Sequence, residues 1–141
     1  MPIMSWIGCN KAFTLLFATF ITRYAALRDL AKNDPERLVR DDRTARVLFE
    51  KGVVTFEGQH DPPFTDFYAV RPVEVAPMME KAGFETLSLL AQEGLVSMLE
   101  EKVNPLEGDA WQAWADLNYR CASDPSIHGA AEHLLCVGRL M

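Results

Sequence analysis

The chain lacks a hydrophobic run long enough for a membrane helix. Its most continuous apolar stretch, residues 12–21, falls well short of the roughly 20 residues a bilayer requires. Arg23 and Arg28 follow at once and no small-x-small cleavage site stands out, so the stretch reads as a buried strand rather than a signal segment. The chain also lacks a basic surplus. Its 14 Lys and Arg stand against 20 Asp and Glu, a net charge of -6, which disfavours a nucleic-acid surface. The densest basic group, Arg37, Arg40, Arg43 and Arg46, is interrupted by Asp41 and Asp42 and reads as a solvated helix face. Cysteines are few, at positions 9, 121 and 136 with no close pair, which argues against a disulfide framework and for a reducing, cytoplasmic setting. Cys121, His128, His133 and Cys136 are spaced C-x6-H-x4-H-x2-C, which matches no common zinc pattern. No internal repeat or low-complexity segment is visible.

What remains is an ordinary globular composition. With 141 residues, 49% hydrophobic and 24% charged, the chain is expected to form one domain spanning residues 1–141. Residues 1–10 have no clear period, and residues 1–12 are expected to be poorly ordered. Residues 13–21 (FTLLFATFI) suit a strand covered on both faces. Residues 22–32 read as a helix. Pro35 begins a short one, Asp42 caps a third to about residue 50, and Gly52 ends it. Residues 53–56 are a short strand candidate, 58–63 a loop, and 64–68 an aromatic stretch that can extend. Pro72 marks a helix start, with Val75, Met78, Met79 and Ala82 on one face; Pro77 predicts a kinked or separate first turn, and Gly83 a stop. Residues 84–91 mix Glu85, Thr86 and Ser88 with apolar residues and suit an edge strand. Gly94 opens a helix with Leu95, Met98, Leu99 and Val103 inward, closed by Asn104-Pro105. Asp109 caps another carrying Trp111, Trp114, Ala115 and Asn118, residues 126–130 form a loop, and 133–137 a last apolar strand. This alternation argues for an α/β fold.

Three segments resemble class I S-adenosylmethionine-dependent methyltransferases. Residues 15–25 (LLFATFITRYA) look like the fifth strand of that fold and the segment after it. Residues 64–94 resemble its following helix and sixth strand, through aromatic-Arg-Pro-x-Glu and then Glu-Lys-Ala-Gly-Phe-Glu. Residues 123–139 (SDPSIHGAAEHLLCVGR) resemble the closing loop and seventh strand. The resemblance covers most of residues 14–139 and implies a partial Rossmann-like sheet with strands in the order five, seven, six, the last antiparallel. The family's acidic, glycine-rich cofactor turn has no counterpart, because the chain contains no G-x-G-x-G. The resemblance is therefore to the C-terminal half of the family fold. S-adenosylmethionine is the cofactor of the full-length family, and none is expected to bind this chain alone.

In open α/β sheets ligands bind beyond the carboxyl ends of the parallel strands. The resemblance would thus place Arg23, Tyr24, Tyr68, Arg71, Glu93, His128 and His133 on one rim, as candidate contacts for a small-molecule methyl acceptor, with Phe67 beside them. A histidine or glutamate there can take a proton, and the tyrosines can position the acceptor. Each has a structural alternative. Arg23 and Tyr24 can cap a strand and pack a helix, Phe67 and Tyr68 can fill the core, and Arg71 can pair with Glu74. His133 can be a hydrogen-bonded structural histidine and His128 a loop residue, while Trp111 and Trp114 read as core. A half sheet leaves the strand at residues 13–21 as a long apolar edge. A non-catalytic reading follows from that edge: an assembly module that pairs with itself or with a chain carrying the N-terminal half. No membrane partner is expected.

Overall fold

The computed structural model describes residues 14–56, 60 and 65–141. The expectation for residues 1–12 lies outside them. Strand β1 (Leu15–Ile21) leads through the N-cap Thr22 into helix α1 (Arg23–Asn33). Thr22 is fully buried; its hydroxyl donates to the Ala131 carbonyl at 2.6 Å and accepts the Ala25 N–H at 3.1 Å, which satisfies one of the helix's free N-terminal donors. The short α2 (Arg37–Arg40) and α3 (Asp42–Lys51) follow. Asp41 caps α3, not Asp42 as the sequence suggests, and Gly52 ends it in the left-handed conformation. Strands β2 (Val53–Val54) and β3 (Phe67–Tyr68) pair antiparallel. Helix α4 (Pro72–Lys81) leads to β4 (Phe84–Ala91). After a 3-10 turn at Gly94–Val96 come α5 (Glu100–Val103), α6 (Gly108–Cys121), α7 (Pro125–His128) and β5 (His133–Leu140).

The fold is mixed α/β, and the main sheet has the order β1-β5-β4 with β5 antiparallel to both neighbours. Its last strand thus sits in the middle, and β1 and β4 run the same way on either side. The β4–β5 register shifts at a bulge between Thr86 and Ser88, which leaves Leu87 46% exposed. The core lies on one face. Val75 and Met79 of α4 pack with Leu134 and Cys136 of β5, and Leu16, Ala18 and Phe20 of β1 join them. Gly138 permits this approach, because a Cβ there would meet the Met79 methyl and the Phe84 Cβ. No helix among the described residues is long and apolar enough to cross a membrane.

Several local expectations are corrected. The β1 run is not covered on both faces: burial alternates along it, and Leu15 and Phe17 remain 51% and 64% exposed. A run of apolar residues gives no period from which to read one-sided burial. Residues 94–103 do not form one helix. Glu93 turns away to bind His133, the Asn118 side chain accepts the Leu95 N–H at 3.1 Å, and Met98 takes a φ of 65°, so the segment becomes a 3-10 turn and the short α5. Leu95, Met98 and Leu99 are consequently exposed rather than inward. In α6 no residue is buried, and Trp111 and Trp114 stand 48% and 43% exposed instead of filling the core. Residues 125–128 form a helical turn where a loop was expected, and β5 runs on to Leu140. Pro77 sits within the unbroken α4; the partner it denies is the carbonyl of Val73, a residue 79% exposed and thus open to solvent.

Candidate functional site

A cleft of about 560 Å³ opens where β1 ends and β5 begins. Ile21 and His133 are register partners across those strands and both line it. Val54, Phe56 and Phe67 form an apolar side together with Leu48 and Met98. Arg28, Asp29, Lys32, Glu100 and Glu132 supply a polar side. The volume suits a drug-sized molecule.

One ring in this lining is fixed by a carboxylate. Glu93 Oε2 accepts the main-chain N–H of His133 at 2.9 Å, and Glu93 Oε1 lies 2.8 Å from His133 Nδ1. The Gln92 N–H donates to the His133 carbonyl at 3.0 Å, which ties the same residue to the strand ladder. A carboxylate is an acceptor, so this contact makes Nδ1 the donor and leaves Nε2 as the free nitrogen of a neutral ring. The side chain is 40% exposed, so the ring is accessible as well as oriented. An imidazole held this way can accept a proton or a hydrogen bond at Nε2, with the carboxylate stabilising the charge that develops.

A second cluster has a different character. Arg23 is 1% exposed. Its guanidinium donates to the Phe49 carbonyl at the end of α3 (3.2 Å), to the Ala69 carbonyl (3.3 Å), to the Tyr68 hydroxyl (3.1 Å) and to both Glu74 oxygens (3.1 and 3.0 Å). It also lies over the Tyr68 ring, 5.8 Å from the centroid. Glu74 further accepts the Tyr68 hydroxyl at 3.0 Å and the Arg71 N–H at 2.8 Å. Burial pushes the Glu74 carboxyl up, but the Arg71 N–H, the Tyr68 hydroxyl and the Arg23 and Arg71 charges outweigh it, and its pKa lies below the usual value. Arg71 donates to the Phe49 carbonyl at 3.0 Å and lies 5.5 Å from the Phe49 ring. These contacts fasten the start of α1, the end of α3 and the start of α4 to one another.

Of the seven candidate residues, the structure brings Glu93 and His133 together and, apart from them, Arg23, Tyr68 and Arg71. Only His133 of the seven lines the cleft. Tyr24 is exposed on α1, and a Cβ at Gly129 would touch its ring. His128 is 6% exposed at the end of α7, and its Nε2 has no hydrogen-bond partner among the described residues. The sequence reading missed Arg28, Glu100 and Glu132 as cleft residues. It also read Glu74 as the partner of Arg71 alone, whereas that carboxylate serves Arg23 first. No group of three or more His, Cys, Asp or Glu positioned for a metal ion occurs among the described residues.

The described glycines do not gather into a glycine-rich turn either. A Cβ at Gly52 would meet the Ala69 carbonyl and Arg23, and one at Gly94 would meet Ile127 and Asn118. Gly83 and Gly108 face open space but stand as single turns, not as a glycine-rich loop. No family model matches the chain, and no curated protein matches it.

Proposed function

We propose that this chain carries the acceptor-side segments of a class I methyltransferase with a Rossmann-like sheet, and that the cleft at the end of β1 holds a small-molecule methyl acceptor. The observation that carries the reading is the placement of the Glu93–His133 pair. A strand order with a central antiparallel last strand puts an oriented histidine at the carboxyl end of β1, where α/β sheets bind ligands. The role assigned to this chain's residues is limited to binding and proton handling: the apolar lining excludes water and positions the acceptor, and His133 Nε2 receives its proton. S-adenosylmethionine belongs to the proposed full fold, and the described residues offer no glycine-rich turn to hold it. The free Cys121 and Cys136 are in keeping with a cytoplasmic setting.

The test is ligand mapping together with calorimetry. Small amines and alcohols should perturb the amide signals of Ile21, Phe67, Met98 and His133, and S-adenosylmethionine should give no saturable heat with the isolated chain. Ligands that map elsewhere would overturn the acceptor-site reading. Micromolar cofactor binding would overturn the division of the fold.

A second reading has its own observation. The Ile21 carbonyl accepts the Val70 N–H at 2.9 Å on the outer side of β1, so the other odd-numbered residues of the strand also turn their N–H and C=O groups outward. At Leu15, Phe17 and Thr19 these groups meet no strand among the described residues. The edge carries no charge and no proline, the usual devices against pairing. An assembly module that pairs through β1, with itself or with a chain supplying the N-terminal half, fits this feature.

A further inference from the structure

The polar side of the cleft selects a charge. Arg28 is already committed: its guanidinium donates to the carbonyls of Ala130 (2.7 Å), Gly129 (3.3 Å) and Ala131 (3.4 Å) and to the Ser97 hydroxyl (3.4 Å). It closes the loop before β5 and has little left to offer an anion. Lys32 is the other cation in the lining, and it acts on Glu100. Against it stand the carboxylates of Asp29, Glu100 and Glu132 and the acceptor nitrogen of His133. Glu132 accepts the Ser97 hydroxyl at 3.2 Å and lines the cleft together with Glu100. Main-chain N–H groups, those of Glu100 itself and of Met98, hold the Glu100 carboxyl below the usual range, so it is ionised at neutral pH. Carboxylates gathered on one wall repel one another unless a proton or a cation lies among them.

From this we infer that the cleft binds an amphipathic amine: its ammonium group lies among Glu100, Glu132 and His133 Nε2, and its apolar body lies against Val54, Phe56 and Phe67. An ammonium supplies three donors, matching two carboxylates and one imidazole nitrogen. Among the described residues, a carboxylate or phosphate ligand would meet three carboxylates, with the Arg28 donors already engaged and Lys32 beside Glu100. This deepens the acceptor-site reading and rests on it for the cleft's role, while the binding preference itself is measured without any transfer.

The experiment compares three isosteric probes on the wild-type chain by calorimetry and amide-shift mapping: 4-phenylbutylamine, 4-phenylbutanol and 4-phenylbutyrate. The amine is expected to bind at least about tenfold more tightly than the carboxylate, with shifts at Phe67, Met98 and His133. In the double variant Glu100→Gln/Glu132→Gln, checked for retained amide dispersion, that preference should collapse to within about twofold. A carboxylate that binds as tightly as the amine overturns the proposal. So does an amine that maps elsewhere, fails to bind at millimolar concentration, or keeps its preference in the double variant. An amine preference in a protein that takes part in no methyl transfer would leave this site standing and sink the methyltransferase reading. Methylation of an acid in this cleft would do the reverse.

Discussion

Glu93 holds His133 at two points, one oxygen on the main-chain N–H and the other on ring Nδ1, at 2.9 and 2.8 Å. The two residues are 40 apart in sequence and meet because β4 and β5 are paired neighbours. The contact also explains a feature of the backbone. With its side chain turned back to β5, Glu93 leads into a 3-10 turn rather than the longer helix that the apolar spacing suggests.

The Arg23–Glu74 contact is the fold's internal ion pair, and its loss should be costly. Glu74→Gln is expected to lower unfolding free energy by roughly 3 kcal/mol, because it leaves a buried guanidinium short of its charged partner. Because Glu74's folded pKa is depressed, its contribution is present above the ordinary carboxylate value of 4.5 and is lost as pH falls through the folded value. Urea titrations at pH 7 and below 4.5 should therefore show the gap between wild type and Glu74→Gln narrowing in acid. A gap that is unchanged in acid would contradict the assignment.

Gly52 and Gly83 both have positive φ, at 71° and 89°, but their surroundings differ. A Cβ at Gly52 would strike the Ala69 carbonyl and Arg23, whereas one at Gly83 would meet nothing within 4 Å. Gly83→Ala should cost about 1 kcal/mol from backbone strain alone. Gly52→Ala should cost clearly more, because it also disturbs the Arg23 network. Thermal or urea denaturation of the two variants checks the order, and equal losses would contradict it.

The outward side of β1 should make the chain associate as its concentration rises. Phe17→Lys places a charge on the exposed face of that edge and should shift the population toward monomer. Light scattering behind a sizing column, over a hundredfold range of loading, reads this directly. A wild-type chain that stays monomeric throughout would count against an open edge.

Cys136 is fully buried, and burial pushes its thiol up despite a weak contact with Thr86. It should resist alkylation in the folded chain, while the partly exposed Cys121 reacts. Peptide-resolved labelling with and without urea distinguishes them. Equal labelling rates in the native chain would contradict the packing of β5 against α4.

Much of the fold was legible in the sequence because its local signals agree with its packing. Thr22, Pro72, Gly52 and Gly83 mark helix boundaries by their own stereochemistry. The polar mixture in residues 84–91 suits the edge that β4 occupies. What was not legible depends on long-range contacts. Trp111 and Trp114 have helical spacing, yet no residue of their helix is buried. The seven candidate residues were grouped by the strand end they were expected to share. The structure instead divides most of them according to partners far along the chain: Glu74 draws Arg23 and Tyr68 into an internal staple, while Glu93 stays with His133. Arg28, Glu100 and Glu132 carry no local motif, and only the folding of α1, α5 and the loop before β5 brings them to the cleft.

The state of one imidazole tests the central claim most directly. A long-range proton–nitrogen correlation spectrum of the neutral histidines should show His133 with its proton on Nδ1 and a bare Nε2, and Glu93→Ala should abolish that preference. A His133 ring protonated on Nε2 in the wild-type chain would contradict the account, because the cleft would then hold no oriented acceptor for a proton.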